Sequence, residues 1–200
     1  MMETLMAKED VAPLNPPMDR TALAVPNVCL HGEVNEAMLA RWIELTLPLR
    51  GEKGPLVLEL TTVGGDAEVG RRIADDVRLL RDAGSSVRFV GKTAVYSAGA
   101  TIMGGFLRGE RWLARDAVVM VHGRKLSKSL TFENALRAER PGVEALLAEI
   151  DQGICIERIE FGKFIEGSDI TLEEIEGQTI ANWYLSAEEA LKRRLIAGIL

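Results

Sequence analysis

The stretch from Leu56 to Val90 constrains the fold of this chain more than any other. An apolar run, Leu56 to Val63, stops at Gly64-Gly65. Asp66 to Ala83 then sets Val69, Ile73, Val77 and Leu80 on one helical face and keeps Arg71, Arg72, Asp75 and Asp76 off it, before Val87 to Val90 turns apolar again. A buried strand, an amphipathic helix and a second buried strand are the parts of a βαβ unit, which brings the chain back beside itself through a right-handed crossover to a parallel neighbour. The alternation extends in both directions. Asn27 to His31 reads as a short strand, and Asn35 to Leu49 as a helix ending at the Gly51-Glu52-Lys53-Gly54-Pro55 turn. Ala98 to Leu107 reads as a short apolar helix and Ala117 to Val121 as a strand. The expected class is α/β, built from successive βαβ units on a parallel sheet.

Thr131 to Ile165 predicts a long helical segment, interrupted at Pro141-Gly142, with an apolar stripe of Val143, Leu146, Leu147, Ile150, Ile154 and Phe161. Thr171 with Glu174, and Ser186 with Glu189, have the spacing of capping boxes and mark two further helix starts. With 200 residues, 47% of them hydrophobic, the chain can bury a core without covalent staples. Residues 1–26 carry four prolines and charged residues in place of a basic stretch followed by an apolar one. They read as a flexible arm before a single domain over 27–200, and not as a signal peptide. No apolar run reaches the roughly 18 residues of a spanning helix. A net charge of -6 argues against nucleic acid or an anionic membrane as partner. Cys29 and Cys155 lack the spacing of a zinc site and sit among apolar residues, so the expectation is two buried free thiols in a cytoplasmic protein, with no metal.

The chain has two histidines, His31 and His122. His122 follows the apolar run Val118 to Val121, at the end of a strand, where side chains of a parallel sheet converge on a site. Ser97 ends another such run and is followed by the small residues Ala98, Gly99 and Ala100. A serine there is either a simple helix cap or a nucleophile whose developing negative charge faces a helix N-terminus. Gly64-Gly65 is either a tight turn or a source of free N–H groups for an oxyanion. No glycine-rich phosphate fingerprint follows any strand.

Taken in order, these segments resemble the proteolytic subunits of the Clp serine proteases. The likeness runs from about Val28 onward. Cys29-Leu-His-Gly-Glu-Val-Asn35 resembles the opening strand and turn of that family; Glu59-Leu-Thr-Thr-Val-Gly-Gly-Asp66 its strand ending in Pro-Gly-Gly; and Gly91 to Ala100 its serine segment. Val119-Met-Val-His122 is similar to its Val-Met-Ile-His, and Tyr184-Leu-Ser-Ala-Glu-Glu-Ala190 to its Phe-Leu-Ser-Ala-x-Glu-Ala. The resemblance implies a ClpP/crotonase-like spiral of βαβ units with a long handle helix. It also implies a serine endopeptidase without cofactor, with Ser97 as nucleophile, His122 as general base and then acid, and an oxyanion hole from the N–H groups of Gly64 and Ala98.

The third triad position of the family, two residues before the aromatic of its Phe-Leu-Ser-Ala motif, falls on Asn182, where relatives most often carry aspartate. An asparagine carbonyl orients the imidazole and brings no charge to the imidazolium, so the expectation is reduced activity unless Asp169, Glu173, Glu174 or Glu176 serves instead. The family also implies a homo-oligomeric ring, with peptides or unfolded proteins as substrate; its AAA+ unfoldase partner docks on an axial loop, to which the segment before Pro26 shows no clear likeness, so that docking does not follow from this sequence. Two residues more than the family pattern stand between Gly91 and Ser97, and Val63 replaces its proline. Arg124-Lys-Leu-Ser-Lys128 follows His122 in place of a glycine-rich loop. The weighed alternatives are a weakly active subunit that assembles with an active paralogue, a crotonase-type enzyme acting on acyl-CoA thioesters, and a serine–lysine dyad using Lys92 or Lys125.

Overall fold

The computed structural model describes residues 23–51 and 54–200. The expected arm therefore lies outside the described residues except for its last four, and so do Glu52 and Lys53 of the expected turn. Those last four begin with a packed residue: Leu23 is buried with Val57, Val90 and Trp112.

Strands β1 (Val28–His31), β2 (Leu56–Thr62) and β3 (Val87–Tyr96) run parallel side by side. The first crossover is helix α1 (Glu36–Thr46), capped by the Asn35 side chain, which accepts from the Met38 N–H. The second is α2 (Ala67–Asp82), capped by Asp66 and buried along Val69, Ile73 and Val77 as its spacing predicts. Helix α3 (Ala98–Gly104) follows β3 after Ser97, and β4 (Arg111–Leu113) and β5 (Val118–Val121) each join β3 in parallel.

Beyond β5 the chain runs without regular structure to α4 (Leu136–Ile165), then to α5 (Leu172–Gln178), β6 (Trp183–Ser186), α6 (Ala187–Lys192) and β7 (Gly198–Ile199). β6 pairs antiparallel with β5, and β7 parallel with β4. Thr171 and Ser186 cap their helices as the sequence predicts, accepting from Glu174 and Glu189. One core, centred on Leu58, Leu60, Ile73, Val77, Phe89, Val95, Ile102 and Met103, lies between the sheet and its helices.

Several expectations change. β3 continues six residues past Val90, because it has two partners in succession: Phe89–Gly91 pair with β4, and Ala94–Tyr96 with β5. Between them the register against β2 jumps from Leu60↔Gly91 to Thr62↔Val95, and Thr93 takes φ 57. Two residues bulge out of the ladder and bend the strand from one neighbour to the other. Helix α4 starts at Leu136 and passes Pro141 unbroken. The proline sits close enough to the helix N-terminus that little of the hydrogen-bond ladder precedes it. Cys29 and Cys155 are exposed, not buried, because the outer face of β1 and most of α4 look outward. Burial of its surroundings and the Glu59 carboxylate both raise the Cys29 thiol above its ordinary pKa. Among the described residues no helix is long and apolar enough to cross a membrane.

Candidate active site

Ser97 stands where β3 ends and α3 begins, with φ 54 and ψ -114. For a residue with a Cβ this backbone costs about 1–3 kcal/mol, held by whatever surrounds it. Here the Ser97 N–H donates to the Met120 carbonyl of β5 at 2.8 Å, and its carbonyl receives the N–H groups of Ala100 and Thr101. The turn lifts the hydroxyl clear of the strand above the first turn of α3, where the Ala98 N–H has no intrahelical partner.

The glycine pair closes on this serine. A Cβ on Gly64 would lie 2.8 Å from the Ser97 Cβ, so only glycine lets β2 approach so closely. Gly64 and Gly65 also take φ 103 and 147, a region that L side chains rarely adopt. The two N–H groups have different fates. The Gly64 N–H, expected in the oxyanion hole, donates to Thr62 Oγ1 at 3.0 Å. Gly65 forms a parallel bridge with Val34 that uses the Gly64 carbonyl and the Asp66 N–H, which turns Gly65's own N–H to the opposite side. Gly65, and not Gly64, lines the cleft with Ser97 and Ala98. The available donor of the pair is Gly65.

His122 lines the same cleft, which holds about 480 Å³. The register explains the meeting: Tyr96 pairs with Met120, so Ser97, one residue on, and His122, two residues on, emerge at the same end of the parallel pair. The imidazole Nδ1 lies 2.6 Å from the Gly123 carbonyl. A carbonyl only accepts, so Nδ1 carries the proton and Nε2 is the free lone pair. Among the described residues Ser97 Oγ and the imidazole are not hydrogen-bonded to one another.

Asn182 follows from the other pairing. Val121 faces Trp183 across the antiparallel ladder, so one further step sets Asn182 opposite His122. Both line a second cavity of about 890 Å³ against α4. The exposed Asn182 side chain, however, points its amide at the Tyr184 hydroxyl, 3.5 Å away, and no hydrogen bond joins it to the imidazole. Of the alternative carboxylates, Asp169 pairs with Arg194 and Glu174 with Arg193, Glu176 pairs with Arg158 and lines the second cavity with His122, and Glu173 makes no ion pair among the described residues. Lys92 is paired with Glu59 at 2.6 Å outside the cleft, whereas Lys125 lines it.

Two carboxylates at the site, Glu157 and Glu160, escape a reading of the sequence. Glu157 of α4 accepts the Arg124 N–H, lies against Gly123 and lines both cavities with His122. Its signal is helical spacing: Glu157, Glu160, Phe161 and Phe164 fall at i, i+3, i+4 and i+7, the face of α4 turned toward the cleft. The Arg124 side chain is held in turn by Glu68 of α2. No group of three or more His, Cys, Asp or Glu able to hold a metal ion occurs among the described residues.

Ser97 in its strained strand-to-helix turn, His122, Gly65 and Ala98 thus line one cleft. Residues 18–138 match the model of the Clp protease family, and the chain belongs to that family. The fold is also that of a ClpP1 mutant from Listeria monocytogenes carrying an asparagine-to-aspartate change, with a TM-score of 0.71 over 90% of this chain and 94% of that one at 20% identity.

Proposed function

We propose that this chain is a serine peptidase that cleaves peptide bonds, and the observation that carries the reading is the strained Ser97 turn sharing one cleft with His122. His122 Nε2 takes the hydroxyl proton as Ser97 Oγ bonds to the substrate carbonyl carbon. The resulting oxyanion is received by the N–H groups of Gly65 and Ala98. Collapse breaks the peptide C–N bond while the imidazolium returns the proton to the leaving amine, and water repeats the cycle on the acyl-serine. Hydrogen bonds between nucleophile and base are often long without substrate and tighten in the complex. The Gly123 carbonyl orients the ring through Nδ1–H, and Asn182, opposite His122 in the β5–β6 register, takes the third position only when its amide leaves Tyr184.

The chamber is part of the same proposal. Leu147, Ile150 and Ile154 of α4 are exposed at 55%, 39% and 51%, one apolar line along a helix that only Phe161 and Phe164 anchor deeply to the body. Such a line needs cover from another copy.

A fluorophosphonate probe tests the chemistry. One covalent adduct at Ser97 is expected by intact mass, absent in Ser97→Ala and strongly slowed in His122→Ala. Labelling of His122→Ala at the parent rate would remove the base assignment and leave Lys125 as the candidate. The weakly active subunit is the second reading, favoured by the Asn182 side chain turning to Tyr184. In that case the parent protein labels no faster than free serine.

A further inference from the structure

The cleft beside Ser97 has a mixed lining. Ala67, Ala100, Phe161 and Phe164 supply apolar walls, and between them stand Arg71 of α2 and Glu160 of α4. Their side chains are only 29% and 11% exposed. Each is held from outside the pair: Arg71 through its terminal nitrogen to Glu68 at 2.5 Å, and Glu160 through Lys163 at 3.0 Å. Toward one another they form a long ion pair. Arg71 Nε is 3.7 Å from Glu160 Oε1, beyond hydrogen-bond distance, and this buried N–H has no acceptor among the described residues. A partly buried guanidinium and a nearly buried carboxylate, paired only at long range, stand side by side in the wall of the cleft.

The chemistry of that wall selects its ligand. A leucine or phenylalanine side chain would cover the pair and satisfy neither member. A carboxylate would be drawn to Arg71 and repelled by Glu160, and an ammonium the reverse. A primary carboxamide satisfies both, its oxygen accepting from the guanidinium and its NH₂ donating to the carboxylate. The attacked carbonyl carbon must sit at Ser97 Oγ, so the side chain one bond away, on the acyl side of the scissile bond, is the one delivered into this cleft. We infer that the Arg71–Glu160 pair makes the site selective for peptides with glutamine or asparagine on the acyl side of the cleaved bond. The inference rests on the Ser97 peptidase reading.

The test is a panel of fluorogenic peptides identical except for Gln, Glu, Lys, Leu or Phe before the cleaved bond, hydrolysed by the full chain, with fluorophosphonate labelling of Ser97 followed in the same samples. The kcat/KM for Gln is expected to exceed those for Leu and Glu by about tenfold or more, as for pockets that pair a polar group of the substrate. Within each variant the Gln-to-Leu ratio is expected to fall toward one in Arg71→Met and Glu160→Met and to survive in part in Arg71→Lys. Using a ratio cancels any general loss of activity, and if Arg71→Met does not fold, the parent order and Arg71→Lys decide. Preference for Leu or Phe, or a ratio that none of the variants moves, overturns the inference while Ser97 labelling leaves the peptidase reading standing. Preference for Glu over Gln makes Arg71 a lone cation and equally overturns the paired role. No labelling and no hydrolysis of any peptide removes the peptidase reading, and the inference with it.

Discussion

At the scale of single residues the site depends on which amide is free and which side chain reaches the imidazole. Asn182 is the sharpest case. The β5–β6 register sets it opposite His122, yet its amide turns to Tyr184. Asn182→Asp is expected to raise turnover of a small activated ester, by up to about 10⁴-fold if the carboxylate swings onto Nδ1, because it adds the charge that stabilises the imidazolium. The same carboxylate favours the protonated ring, so the acid limb of the pH–rate profile moves to higher pH. If Asn182→Asp and Asn182→Ala both leave rate and profile unchanged, Asn182 is outside the triad, and Glu157 and Glu176, which line the cavity with His122, are the next carboxylates to replace. The sequence shows Ser97, His122 and the glycine pair because strand ends and small residues leave local marks. It does not separate Gly64 from Gly65. That choice is made by the Thr62 hydroxyl and by Val34, which lies far back along the chain.

At the scale of elements the helices were the legible part and the strand edges were not. α2 falls where its apolar spacing sets it, within a residue at each end. β4 and β7 are three and two residues long, too short for periodicity to register: β4 is set by its ladder with β3, and β7 by meeting Trp112 and Leu113 of β4. The join is secured by Arg111, which is fully buried. Its guanidinium donates to the carbonyls of Phe106, Lys163, Phe164 and Leu195, at 2.9, 3.1, 2.5 and 3.4 Å, and lies 5.9 Å from the Phe164 ring centroid. Burial lowers its pKa to about 10, still well above neutrality, so the charge is retained. The Lys163 and Phe164 carbonyls belong to the last turn of α4, where no helical N–H remains to meet them. Arg111→Met should therefore destabilise the fold by on the order of 3 kcal/mol, read as a lower urea midpoint. A change below a few tenths of a kcal/mol would show that the cage is incidental.

At the scale of the whole molecule the apolar line on α4 predicts an assembly. Light scattering at micromolar concentration is expected to report a multimer, and Leu147→Asp with Ile154→Asp is expected to shift it to smaller species while the circular dichroism spectrum holds. A monomeric parent would refute the line as an interface. The extent of this exposed face could not be judged from periodicity. The stripe Val143 to Phe161 reads as one apolar face, and the packing divides it: Phe161 goes into the body, and Leu147, Ile150 and Ile154 stay outside.

The Arg111 cage also governs how the chain can be made. The arginine leaves the ribosome just after Phe106 but long before its other acceptors, since Phe164 lies 53 residues later and Leu195 lies 84 residues later. Synthesis proceeds at about 5–20 residues per second, so for several seconds this cation has one of its four carbonyls and water for the rest, and the β4–β7 pairing beside it has only one of its strands. A nascent chain arrested before Leu195 should thus carry the first βαβ units in a loose, protease-sensitive form and tighten in a single late step, once the last carbonyl arrives to close the cage.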